Sequence, residues 1–121
     1  MGVGSIAKVA SKLVGNLGFT AKIVTKVSTL KSQAGIYEFV GSSGKKYVGM
    51  SINVKNRITQ HLASRKLPKA NLKNLIVKYM PNSTKLERRI AEQRRITNYG
   101  LRNLENKINS IKSSNWKKYG V

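Results

Sequence analysis

The stretch Gly35-Ile36-Tyr37-Glu38-Phe39-Val40-Gly41-Ser42-Ser43-Gly44-Lys45-Lys46-Tyr47-Val48-Gly49-Met50 decides the reading of this chain. Two runs rich in β-branched and aromatic residues flank a Gly-Ser-Ser-Gly centre, the pattern of a β-hairpin. Side chains alternate faces along a strand, so Tyr37 and Tyr47 share a face only if paired residue numbers sum to an even value. That register needs a three- or five-residue loop, or a bulge, around Gly41 and Gly44, and we expect it here. A tight two-residue turn at Ser42-Ser43 would separate the two phenols. Gly35 and Gly49 lack a side chain, which would let a phosphate approach the backbone beside each tyrosine.

Working outward, Asn53 is an N-cap for a helix running to about Ser64, with Val54, Ile58 and Leu62 on its apolar side. Arg57 and His61, the only histidine, stand at i and i+4 on an adjacent side of that helix. Lys66 to Asn71 is a basic loop around Pro68, and Leu75 to Met80 is a third strand stopped by Pro81. Thr84-Lys85-Leu86-Glu87 fits a capping box opening a helix that runs to about Tyr99, with Gly100 at C′. Leu101 to Ile111 is expected as a short helix, followed by a tail from Lys112 to Val121 that contains Trp116. Before the hairpin, Ile6, Val9, Ala10, Leu13, Val14 and Leu17 recur at helical spacing, and Phe19, Ile23, Val27 and Leu30 form a weaker helical stripe. The expected organisation is a basic helical extension over 1–33 and one domain over 34–121. The expected fold class is α/β, a small three-stranded, mainly antiparallel sheet flanked by helices.

Composition narrows the chemistry. The 121 residues carry 24 Lys+Arg against four acids, a net charge of +20, which attracts polyanions and predicts salt-dependent binding to nucleic acid. There is no Cys and no Asp, and the acids are Glu38, Glu87, Glu92 and Glu105. Sites built from clustered Asp are therefore excluded, and metal pairs sharing several carboxylates are disfavoured. One histidine rules out a two-histidine ribonuclease and a His-His metal site. What remains is a single metal held by one Glu, or metal-free chemistry using Glu, His and Arg. No apolar run is long enough to span a membrane, so stable membrane insertion is not expected. The N-terminus lacks the pattern of a secretory signal.

Gly35-Ile36-Tyr37, Tyr47-Val48-Gly49, then Arg57 and His61 on the next helix resemble the GIY-YIG nuclease family, with Val48 in place of the second Ile of its name. The resemblance runs from about residue 34 to residue 109. It implies a divalent-metal-dependent endonuclease with Tyr37, Tyr47, Arg57, His61 and a glutamate as catalytic residues. Glu87 and Glu92 are the candidates for that glutamate. Glu87 has a capping role, whereas Glu92 lies between Ile96 and Tyr99 on the inward arc, and Ala91-Glu92-Gln93-Arg94-Arg95-Ile96 resembles the family's metal-binding helix. The resemblance therefore implies one Mg²⁺ or Mn²⁺ on Glu92. It adds Asn106 as a substrate-binding residue, with Asn103 second, beside Gly35, Gly49 and Lys46. Tyr47 would deprotonate or orient the water, Tyr37 would position water or phosphate, and Arg57 would stabilise the phosphoryl oxygens. His61 would share the base role or hold a phosphate.

The basic N-terminal segment, the compact domain and Asn98-Tyr99-Gly100-Leu101-Arg102-Asn103-Leu104-Glu105-Asn106-Lys107-Ile108-Asn109-Ser110-Ile111 are also similar to C-terminal effector domains of bacterial polymorphic toxins. This implies an antibacterial toxin, part of a larger secreted protein, that acts in the target-cell cytoplasm and is neutralised by an acidic immunity protein. DNA is the preferred substrate over RNA. Two other readings remain open: a metal-independent RNase toxin using Glu92, His61 and Arg57, and a non-catalytic basic nucleic-acid-binding module.

Overall fold

The computed structural model describes residues 22–24 and 26–121, so the helix expected over Ile6 to Leu17 lies outside the described residues. Four strands, β1 (Lys22–Val24), β2 (Gly35–Val40), β3 (Lys46–Ser51) and β4 (Leu75–Tyr79), form one antiparallel sheet in the order β1-β4-β2-β3. Three helices follow the hairpin: α1 (Val54–Ala63), α2 (Lys85–Tyr99) and the single turn α3 (Trp116–Tyr119).

The three strands expected from the sequence are present. The fourth corrects the helical stripe drawn over Phe19 to Leu30: Lys22–Val24 pairs with β4, and Val27–Thr29 is a single 3-10 turn. Ile, Val and Thr are at home in either pattern when a segment is short, and pairing with an available sheet edge decides between them. Leu30 then packs into the core, so the described part of the folded unit begins before residue 34.

Cross-strand pairs Tyr37↔Gly49 and Phe39↔Tyr47 give the even register. The turn closes with Gly41 N–H donating to Lys45 O at 2.8 Å and Gly44 N–H to Gly41 O at 3.1 Å. Gly44 has φ +84°, a left-handed conformation that a side chain would strain. Odd-numbered residues of β2, β3 and β4 therefore share one sheet face and even-numbered residues the other.

The odd face is covered by α1. Tyr37, Phe39, Leu75 and Val77 of the sheet pack there with Val54 and Ile58 of α1, together with Leu30 and Leu67. Asn53 caps α1, its Oδ1 accepting from Asn56 N–H at 3.0 Å. The even face is covered by α2, where Val48 meets Ile96 and Leu104, flanked by Tyr99 and Leu101. The capping box of α2 is complete: Thr84 N–H donates to Glu87 Oε1 at 2.7 Å, and Glu87 N–H to Thr84 Oγ1 at 3.1 Å. Gly100 ends α2 with φ +87°.

A charged cluster lies inside the even-face core. Glu38 is 1% exposed. It accepts from Arg95 Nε at 2.6 Å and from the Tyr99 hydroxyl at 2.7 Å, also pairs with Arg95 Nη2, and has Lys46 Nζ at 3.4 Å. A buried carboxylate needs such compensation.

The helix expected over Leu101 to Ile111 is not formed. Only Leu101–Asn103 makes a 3-10 turn, and the chain then runs beside β3. Leu104 bridges Lys46, Glu105 N–H donates to Lys46 O at 2.7 Å, and Asn106 bonds both backbone groups of Val48. Pairing with an open strand edge outweighs a helical spacing that three asparagines support poorly. Further on, buried Gln93 of α2 holds the tail, accepting from Ile111 N–H at 2.9 Å and donating to Asn109 Oδ1 at 3.0 Å. The Trp116 indole donates to Ile111 O at 2.8 Å.

Candidate active site

The hairpin register puts Tyr37 and Tyr47 on the odd face, where α1 brings His61 between them. The ring centroids are 6.4 Å apart for the two tyrosines and 5.6 Å from each tyrosine to His61. Buried Phe39 backs the cluster, 5.5 Å from Tyr47 and 5.4 Å from His61. The Tyr37 oxygen lies 2.8 Å from His61 Nε2. Burial, the Tyr47 phenol and the Glu92 charge hold Tyr37 well above its ordinary value, against the pull of Arg57, so this phenol stays protonated. Burial, with the charges of Lys66 and Arg57, pushes His61 down to about 4, so the imidazole is neutral at pH 7. The hydroxyl donates when the imidazole proton sits on Nδ1 and accepts when it sits on Nε2.

Arg57 stands exposed one turn before His61, as the i, i+4 spacing predicts, and its charge acts on both phenols and on the imidazole. Glu92 comes from the helix on the opposite face, yet its charge pushes up both Tyr37 and Tyr47. The field of this carboxylate thus reaches both tyrosines across the sheet. Burial raises the pKa of Glu92, opposed by hydrogen bonding from Ser110 and by the charge of Arg89. The structure therefore packs Tyr37, Tyr47 and His61 together, with the Arg57 and Glu92 charges acting on both phenols, while Glu87 is held in its capping box.

Four expected substrate contacts have other surroundings. Lys46 is even-numbered, points to the face opposite Tyr47, and lies against Glu38 and the Tyr99 ring. Gly35 and Gly49 have protein in the space a Cβ would take. At Gly35 that space meets the Lys78 carbonyl of β4, and at Gly49 it meets the Tyr37 ring, 2.5 Å from its oxygen. Asn106 has its carboxamide on the β3 backbone, accepting from Val48 N–H at 2.9 Å and donating to Val48 O at 2.7 Å. It fixes the strand between Tyr47 and Gly49. Asn103 donates to Tyr99 O at 2.9 Å.

Sequence reasoning missed Lys66. Its Nζ sits 3.9 Å from the centre of the Tyr47 ring, a cation–π contact at the mouth of the cluster. In the sequence it is one lysine among many, and only the turn after α1 gives it this place. The Glu38–Arg95–Tyr99 cluster was missed too, since its members lie far apart along the chain.

Among the described residues, no group of three or more His, Asp or Glu side chains converges as a metal cage. A divalent ion would rest on Glu92, with water and substrate oxygens completing its shell. Glu92 is half-buried, and its carboxylate is the hard oxygen ligand that divalent cations take. No helix among the described residues is long and apolar enough to cross a membrane.

This antiparallel sheet with flanking helices has the architecture of a nuclease domain. The family model described as the GIY-YIG catalytic domain matches residues 33–93. The chain belongs to the GIY-YIG family, which makes it a GIY-YIG-type endonuclease, a hydrolase of phosphodiester bonds with nucleic acid as its substrate. Nucleases of this family typically use a divalent metal. Comparison with curated proteins and with solved structures gives no match.

Proposed function

We propose that the protein cleaves DNA in a Mg²⁺- or Mn²⁺-dependent reaction centred on Tyr37, Tyr47, Arg57, His61 and Glu92. One observation supports this reading: two phenols share one sheet face, and the charges of Arg57 from α1 and Glu92 from α2 act on both of them. This supports a site in which Arg57 serves the phosphoryl oxygens and Glu92 serves a divalent ion near two water-orienting hydroxyls.

Arg57 donates to the non-bridging phosphoryl oxygens as their charge grows. Tyr47 aligns the attacking water and accepts its proton. Its phenol is held up by burial and Glu92 and pulled down by Arg57, so it becomes basic only as the Glu92 charge is compensated. Glu92 would hold a divalent ion, which would supply that compensation and charge stabilisation for the leaving oxygen. Tyr37, locked to neutral His61, positions water or phosphate without ionising. His61 keeps an uncharged ring against the substrate and holds the Tyr37 hydroxyl in place.

Incubation with plasmid DNA and with total RNA, with and without Mg²⁺, tests the reading. Cleavage of DNA that stops in EDTA, and a Glu92→Ala variant that binds but does not cut, are the expected results. Cleavage that persists in chelator rejects the metal mechanism, and cleavage of RNA alone rejects the substrate.

We further propose that the domain is an antibacterial toxin carried on a larger secreted protein, acting in the cytoplasm of the target cell and neutralised by an acidic immunity protein. The +20 charge supports this by offering an acidic inhibitor a large electrostatic target. Expression in bacteria should be toxic for the wild type and harmless for Glu92→Ala; equal growth of both strains sinks it.

A further inference from the structure

A second cleft, of about 610 Å³, opens between α2 and the C-terminal tail. Leu86 and Arg89 of α2 form one wall, and Asn109, Ser110, Lys112 and Tyr119 contribute to the other. Its size falls within the roughly 300–1,000 Å³ usual for small-molecule sites. No acid lines it; Arg89 and Lys112 are exposed cations, and the Tyr119 ring is half-buried. The cleft shares a wall with the active site, because Ser110 hydrogen-bonds Glu92 and the Arg89 charge acts on the same carboxylate. The Gln93 and Trp116 bonds pin the tail in this position. The family match ends at residue 93, before the tail wall.

We propose that this cleft is a nucleotide subsite, holding a residue of the substrate strand that flanks the scissile phosphate. Arg89 and Lys112 take its phosphate, and the Tyr119 ring packs on its base. Two cations and an aromatic surface make the usual combination for a single strand: charge tracks the backbone, and a ring accepts any base. The tail thereby sets how the strand enters the centre and how strongly single-stranded ends are held. The proposal rests on the nuclease site described above.

The test compares wild type, Tyr119→Ala, Tyr119→Phe and Lys112→Ala on two substrates with Mg²⁺. One is a labelled single-stranded DNA oligonucleotide; the other is bis(p-nitrophenyl) phosphate, a diester with no neighbouring nucleotide. The expected result is a rise of about tenfold in KM for the oligonucleotide in Tyr119→Ala, and a rise in Lys112→Ala that shrinks with added salt. Tyr119→Phe should retain the wild-type KM, and the penalty should be absent with the small diester. An unchanged oligonucleotide KM, or an equal penalty on both substrates, overturns the subsite. If the wild type cuts neither substrate, it is the nuclease-site reading that fails. Fluorescence anisotropy of the oligonucleotide on Glu92→Ala then decides the cleft alone: adding Tyr119→Ala must weaken binding about tenfold, and unchanged binding refutes it.

Discussion

The Tyr37 ring lies across Gly49, its cross-strand partner, so closely that a Cβ on Gly49 would stand 2.5 Å from the phenol oxygen. The second glycine of the paired tripeptides is therefore a seat for the first tyrosine. Gly49→Ala must push the Tyr37 hydroxyl off His61. We expect kcat to fall about a hundredfold, as for comparable displacements of a positioning group. Steady-state cleavage checks this, with circular dichroism to show that the fold persists; near-wild-type turnover would refute the seat.

His61 gives stability a defined pH slope. Its folded pKa, about 4, lies below the ordinary 6.5, so below pH 6.5 the unfolded chain takes up a proton that the folded chain refuses. Stability is expected to fall on acidification between about pH 6.5 and 4, and His61→Gln should flatten that part of the curve. Urea unfolding across this range is the measurement, and an unchanged slope in the variant would sink the assignment.

Lys66 helps to hold that imidazole neutral. Lys66→Met keeps the apolar stem over Tyr47 and removes the charge, so the His61 midpoint should move upward. With a single histidine in the chain, its NMR titration needs little assignment. A midpoint that stays put would mean the lysine is not where the structure has it.

The buried Glu38–Arg95 pair is a structural liability if broken. Arg95→Ala leaves a carboxylate inside the even-face core and should cost about 3–5 kcal/mol. Glu38→Gln, which retains a polar partner for Tyr99, should cost less. Equal, small losses in denaturant would show that water reaches the cluster.

Asn106→Ala removes both bonds to Val48 and strands a backbone N–H, at a cost of about 1–3 kcal/mol. Activity should fall together with stability. Full stability with lost activity would instead return this asparagine to the substrate.

The sequence reads best where its signals are local. Alternation and the glycine-rich loop carry the hairpin register, and with it the shared face of Tyr37 and Tyr47. The caps at Asn53 and Thr84 depend on residues three apart, and spacing along one helix brings Arg57 beside His61. Parity alone should have turned Lys46 away from Tyr47, since neighbours on a strand face opposite ways. Leu101, Leu104, Ile108 and Ile111 mimic a helical stripe, yet Leu104 packs against Val48 while Ile108 is 78% exposed. Glu38 and Arg95, and Lys66 and Tyr47, meet only after the sheet has folded between its helices, so no short window contains them.

Leu104, Glu105 and Asn106 together behave as a seam along β3. An unpaired strand edge invites another chain to extend the sheet. Here the border nearest the tyrosines is stitched shut from within. An inhibitor that silences this centre must therefore plug it with side chains, because the obvious route of lending a strand there is closed.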